Sequence, residues 1–251
     1  MLSDPTTGFL GLLRARDPKA WFELWEVFGP IVRAQLKRWG RGQIGLETVQ
    51  DLSQETLAAL AQAIDSHDPS RGVKFSTWLL AIARYTLSDE FDRRLAQKRG
   101  GGRRPQELEA ALSMDDGSPA PDQAYESLVF GAKVEATLRE VERRVDFLDF
   151  QVFRMRVLEG RSGRDAAESL GVSEAQISRR LARVRSEVRS HLAEVVARYS
   201  LTPEDVEEPG RNGLDPNPNK TGDALFDEAL GEVYQRTLRL RAAAEAELRA
   251  P

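Results

Sequence analysis

Ser162-Gly-Arg-Asp-Ala-Ala-Glu-Ser-Leu-Gly171-Val-Ser-Glu-Ala-Gln-Ile-Ser-Arg-Arg-Leu181 is the stretch that decides the fold. A short helix running into Ala-Ala-Glu-Ser-Leu, a glycine at the turn and a serine ahead of a longer helical run together describe a helix-turn-helix. Gly171 supplies the left-handed backbone that other residues resist. Ser173 is placed to cap the second helix, whose first turns would then project into a major groove. Ala167, Leu170, Val172, Ile177 and Leu181 fall where the two helices must touch. Arg179, Arg180, Arg183, Arg185 and Arg189 stud the second helix, a set suited to phosphates and guanine edges. The expected DNA-facing residues are Ser173, Glu174, Gln176, Ser178, Arg179, Arg180 and Arg183. A helical hairpin with a solvated basic face accounts for the same arginines without DNA.

Outward from this motif, helical periodicity runs through most of the chain and strand signals are nearly absent, so the expected fold class is all-α. Asp17-Pro18 opens a helix as N-cap and first helical residue. Its apolar face carries Trp21, Leu24, Trp25 and Phe28, with Gly29-Pro30 predicting a break or kink, and Trp21, Trp25 and Trp39 read as core. A second helix spans about Glu47 to Asp65, and a third runs from about Ser76 into Arg93 and Arg94. The predicted organisation is a helical domain over 1–99, an acidic Gly- and Pro-containing linker over 100–125 and a helix-turn-helix domain over 126–200. A Pro/Gly-rich tether over 201–222 and an amphipathic helix over 223–251 follow. A short helix fits Glu107–Leu112. The last helix aligns Phe226, Leu230, Val233, Thr237, Leu240 and Ala244 in one stripe, which predicts docking on the body or on a partner, or else a permanent extra core helix.

Charge sharpens this division. The chain of 251 residues has a net charge of −4, but residues 1–104 carry +4, 105–153 carry −7, 154–198 carry +4 and 201–251 carry −5. Two basic blocks alternating with two acidic ones suggest two DNA-facing modules, an acidic linker and an acidic tail. The absence of cysteine excludes a disulfide framework, a thiolate metal site and a thiol nucleophile. His67 and His191 are too far apart in sequence for a local two-histidine metal motif, and no phosphate-binding glycine loop is present. No nucleophile–base set appears, so the chain does not read as an enzyme, and no cofactor is expected. No apolar run approaches the roughly 20 residues of a membrane span, and the first residues lack the features of a signal peptide. The expected compartment is the cytoplasm, with no membrane partner.

A second constellation lies in Val49–Arg94: Asp51-Leu-Ser-Gln-Glu55, Asp68-Pro-Ser-Arg-Gly72, Phe75-Ser-Thr-Trp-Leu79, Ile82-Ala-Arg84, Asp89 and Arg93-Arg94, in that order. This block resembles the second conserved region of bacterial RNA polymerase sigma factors, in the extracytoplasmic-function (ECF) branch. The helix-turn-helix, with Val152-Phe-Arg-Met-Arg-Val-Leu-Glu-Gly160 ahead of it, resembles the fourth region of the same family. The matches cover roughly residues 17–99 and 126–198. The resemblance implies that Asp51, Leu52, Gln54 and Glu55 dock the β′ coiled coil of core RNA polymerase, with the β subunit as a further contact. It implies that Lys74, Phe75, Trp78, Arg84, Tyr85, Arg93 and Arg94 serve the −10 element and promoter opening, and that the recognition helix serves the −35 element. Promoter DNA and core polymerase are thus the expected partners, and the resemblance admits an anti-sigma factor. Independently, Phe75, Trp78 and Tyr85 interleaved with cations fit a surface that stacks unpaired bases while tracking phosphates. Phe75 and Trp78 equally fit core positions at helical spacing. The pattern departs from the family at Tyr85, where Asn is frequent, at Asp92, where a base is frequent, and at Val141–Phe150, which lacks the usual Leu-Pro start. The competing reading is a stand-alone helix-turn-helix regulator whose N-terminal helices bind a partner.

Overall fold

The computed structural model describes residues 5–40, 42–66, 73–99, 123–200, 203–217 and 224–249. Among these residues the chain forms helices and no strand. They fall into two compact units, Met1–Val129 with Ala242–Pro251, and Phe130–Arg241. The expected short helix at 107–112 and the Asp68–Gly72 turn lie outside the described residues. No described helix is long and apolar enough to cross a membrane.

The first unit opens with α1 (Pro5–Arg14), which the sequence reading did not foresee. Thr-Thr-Gly is poor helix material, but Phe9, Leu10 and Leu13 are buried, and tertiary packing overrides weak propensity. The turn after it is fastened by Trp21 Nε1 donating to Leu13 O at 3.0 Å and by Arg14 Nε donating to Ile64 O at 3.2 Å. In α2 (Pro18–Gly40), Asp17 Oδ1 accepts from the Ala20 amide at 2.8 Å, as expected of a cap. The helix runs through Pro30 as a single element, so of the break or kink the sequence suggested there, the break does not occur. Gly29 matters for another reason: a Cβ there would lie 2.8 Å from the Trp25 ring. That indole lies along the helix with the Arg33 guanidinium 5.4 Å from its centre. Trp21, Trp25 and Trp39 are half-buried rather than core, each with its edge or face engaged at the surface. In α3 (Leu46–Ala63) and α4 (Phe75–Arg99), the inner faces carry Val49, Leu52 and Leu60 against Leu79, Ile82 and Ala83. A buried hydroxyl pair, Thr56 with Thr86 at 2.9 Å, links the two helices. Toward its C-terminal end α4 emerges, and Leu95 is 47% exposed.

α5 (Gln123–Arg144) begins in the first unit. Tyr125 is buried and donates its hydroxyl to Ser76 O at 2.7 Å, and burial pushes its pKa well above the usual phenol range. This hydrogen bond ties the start of α5 to α4 within the first unit, which extends to Val129.

The second unit contains the rest of α5, then α6 (Phe147–Phe153), a π-helical turn (Arg154–Leu158), α7 (Gly163–Leu170) and α8 (Glu174–Tyr199). Two short turns, α9 (Pro203–Val206) and α10 (Glu208–Arg211), precede α11 (Ala224–Arg249), which belongs to this unit as far as Arg241. Its core joins Phe130, Val134 and Leu138 of α5 to Phe150 and Phe153 of α6 and to Ile177, Val184, Val188 and Leu192 of α8. Phe226, Leu230 and Val233 of α11 belong to the same core, so the C-terminal stripe packs as part of this unit.

The stretch read as a tether is folded over 203–217. Lys133 reaches Glu208 at 2.7 Å with both side chains buried, and Leu214 is wholly enclosed. Prolines and glycines here shape turns on a packed surface instead of making a free linker. Two glycines let helices approach closely. A Cβ on Gly131 would meet Thr237 Oγ1 at 1.9 Å, and one on Gly231 would meet Val157 O at 2.7 Å.

Candidate nucleic-acid interface

Ser162 caps α7 by accepting from the Asp165 amide at 3.0 Å, and hydrogen bonding to Ser162 holds the Asp165 carboxyl below the usual range. Gly171 then adopts φ +65° and ψ +33°, the left-handed turn expected of it. Ser173 and Gln176 form a reciprocal capping box. Ser173 Oγ accepts from the Gln176 amide at 3.3 Å, while Gln176 Oε1 accepts from the Ser173 amide at 2.9 Å. Ile177 and Leu181 turn into the core with Ala167, leaving Glu174, Ala175, Ser178 and Arg179 exposed on the outer face of the first turns. Among the described residues, Arg179 Nε and Ser178 Oγ bond to carbonyls one turn back, of Ala175 and Glu174 at 3.2 Å each.

Four further arginines of α8 divide into two pairs. Arg180 and Arg183 both donate through Nη1 to Asp149 of α6, the latter at 2.6 Å, and Asp149 is 1% exposed. Arg185 and Arg189, which the sequence placed on a phosphate-facing helix, point into the unit. Arg185 forms a two-point bond to Asp227 of α11, at 2.8 and 2.5 Å. Arg189 is buried, with its guanidinium 4.3 Å from the Phe226 ring centre and its Nε donating to Asp215 O at 3.2 Å. A basic count along one helix cannot reveal acids folded onto it from elsewhere.

In the first unit the expected −10 residues divide in a similar way. Phe75 is buried, edge-on to Phe28 at 5.4 Å and to Trp78 at 5.9 Å, so it is a core residue and not a stacking platform. Trp78 keeps only 9% exposure. Lys74 lies 3.7 Å from Glu126. Arg84 sits over the Trp39 ring at 5.2 Å, and Tyr85 is half-buried with its hydroxyl pKa raised first by burial and then by Asp89. Arg93 bonds Asp89 at 2.9 Å and Glu90 at 3.0 Å, and its side chain also lies 3.7 Å from Glu55. Arg94 bonds Glu90 at 2.6 Å and reaches Gln43 O and Thr48 Oγ1 at 3.0 Å each. Of the expected polymerase contacts, Asp51, Gln54 and Glu55 are exposed on α3, whereas Leu52 is 1% exposed and belongs to the core. The i, i+1 step from Asp51 to Leu52 crosses from the outer to the inner face of the helix. Through the Glu55–Arg93 contact, the two expected surfaces of this unit meet.

Comparison with known families locates both units. The family model for sigma-70 region 2 matches residues 24–96, and that for sigma-70 region 4 matches residues 148–188. The chain belongs to the sigma-70 family, in its ECF branch. No curated protein and no solved structure matches it. As a sigma factor it acts in promoter recognition and transcription initiation, with core RNA polymerase and promoter DNA as partners.

The region 4 match begins within α6 and ends within α8, so α9, α10 and α11 of this sigma factor lie outside it, and Phe226, Leu230 and Val233 of α11 complete the same core. Sequence reasoning missed Asp149 and Asp227, the two acids that hold the arginines of α8. Each left a trace: Asp149 stands among Phe147, Phe150 and Phe153, and Asp227 follows Phe226 on an apolar stripe. A carboxylate in such company calls for a cationic partner from another element.

Proposed function

We propose that the second unit of this sigma factor reads the −35 element through the first turns of α8, while the first unit docks the β′ coiled coil and engages the −10 element. The observation that carries the reading is the outer face of α8, where Glu174, Ser178 and Arg179 stand exposed on a turn rigidly capped by Ser173 and Gln176. Cap and core fix the helix; the exposed side chains are left to contact base edges. On α3, Asp51, Gln54 and Glu55 supply the exposed polar and acidic face for polymerase, with the β subunit as a further contact for the second unit. On α4, Trp78, Arg84, Tyr85, Arg93 and Arg94 are the residues nearest to a strand-engaging surface, and Phe75 and Leu52 support them from the core. The chain performs no catalysis in this reading, and its place of action is the cytoplasm.

The test is run-off transcription with purified core polymerase on a pool of genomic promoters. Promoter-dependent transcripts are expected, and they should be lost when the upstream element is scrambled. Duplex binding by the free chain as tight as by the holoenzyme, with no transcripts, would instead support a stand-alone regulator.

A further inference from the structure

We infer that Asp149 is a positioning residue for promoter discrimination: its buried carboxylate holds Arg180 and Arg183 as a pre-oriented pair for the −35 duplex. The inference rests on the second unit reading that element. Asp149 lies in the first turn of α6, and its two oxygens are divided between the Nη1 groups of Arg180 and Arg183. Asp146, the N-cap of α6, places Oδ1 3.7 Å from Arg180 and adds to the same field. The arginines are three residues apart and thus neighbours on the helix surface. Their side chains remain 27% and 65% exposed, so the carboxylate anchors them without enclosing them.

A guanidinium carries five N–H donors in a fixed fork. With Nη1 held by Asp149, each keeps its Nε and Nη2 hydrogens for a second acceptor. Two flexible arms thereby become a fixed pair, and less rotamer freedom is lost when DNA binds. The carboxylate also cancels one of the two positive charges, which weakens attraction to any duplex regardless of sequence. Orientation gained and charge lost act in the same direction: both favour the correct sequence over the rest.

The experiment uses the full chain assembled with core polymerase, on a promoter selected by run-off transcription. Binding is compared between that promoter, the same promoter with one −35 base pair changed, and non-promoter duplex, over a salt series. Asp149→Asn keeps the side-chain shape and one acceptor while removing the charge. It should reduce discrimination about tenfold, the scale of one good base contact. Binding to non-promoter duplex should hold or strengthen, with a salt slope steeper by about one. A purely structural role would not produce this gain. Arg183→Gln, at the more exposed arm, leaves Asp149 paired with Arg180 and should lower discrimination in a chain that still unfolds cooperatively, and it decides the matter if Asp149→Asn fails to fold. Unaltered discrimination in a folded Asp149→Asn variant, or in Arg183→Gln where the former does not fold, overturns the inference. So does a fall in binding to all three duplexes together. If the parent holoenzyme itself ignores the changed base pair, the −35 reading has failed, and this inference with it.

Discussion

Gln176 was expected to read bases, yet its side-chain oxygen closes the capping box at the start of α8. Substituting the cap serine, Ser173→Ala, should cost about 1 kcal/mol, measurable as a shift in the urea midpoint of the full chain. Gln176→Ala removes only the reciprocal half and should cost less. A second residue-scale prediction concerns Glu135, whose carboxyl is raised above 4.5 by burial even though Arg241 and Arg139 pull it down. A raised folded-state pKa means that the folded chain holds the proton more tightly than the unfolded one. Its contribution is therefore full below the unfolded value and lost as pH rises through the folded one. Compared with Glu135→Gln, the parent should lose relative stability as pH climbs through and above the ordinary carboxylate range. A stability difference that stays flat over that range would contradict the assignment. Local chemistry of this kind was legible: Asp17, Gly171 and Ser173 do what their residue types and immediate neighbours require. The partners of Arg180, Arg185 and Arg189 were not, because Asp149, Asp227 and Asp215 lie 26 to 42 residues away.

α11 follows a legible pattern with an illegible partner. Its stripe of Phe226, Leu230, Val233 and Thr237 is buried as its spacing implied, but periodicity shows that a face is covered and not what covers it. Because Leu230 is wholly enclosed, Leu230→Ala should cost about 2–5 kcal/mol, read by chemical denaturation. Gly131→Ala forces a methyl against Thr237 and should cost about 1–3 kcal/mol, read as a lowered melting temperature. Relieving the contact with Thr237→Ala should recover part of that loss, which a double-mutant cycle measures. Truncation after Tyr199 strips Phe226, Leu230 and Val233 from the core and is expected to abolish cooperative unfolding of the second unit. α1 shows the opposite case: its sequence is a weak helix former, and only the burial of Phe9, Leu10 and Leu13 accounts for it.

Over the whole chain, the alternating charge blocks correctly marked two modules but overstated their free positive charge. Arg180, Arg183 and Arg185 of the second basic block, and Arg93 and Arg94 of the first, are ion-paired within the fold. The salt dependence of promoter binding should reflect only cations that meet phosphate. If Arg179 is one of them, Arg179→Ala should reduce the slope by about one, whereas Arg185→Gln, measured while folded, should leave it unchanged. The two-unit division was readable because two ordered motif blocks flank a segment of different composition; the attachment of α5 to the first unit was not, because Tyr125 meets Ser76 O from 49 residues away. The placement of Phe226, Leu230 and Val233 also sets a timetable for synthesis. Roughly forty residues separate Leu192 from Leu230, on the order of 2–8 s of elongation. During that interval the emerging chain already has its turn and its arginines, but Val188 and Leu192 still lack the helix that covers them. The second unit is finished only once the ribosome has passed α11, well after the first four helices have left it free to fold.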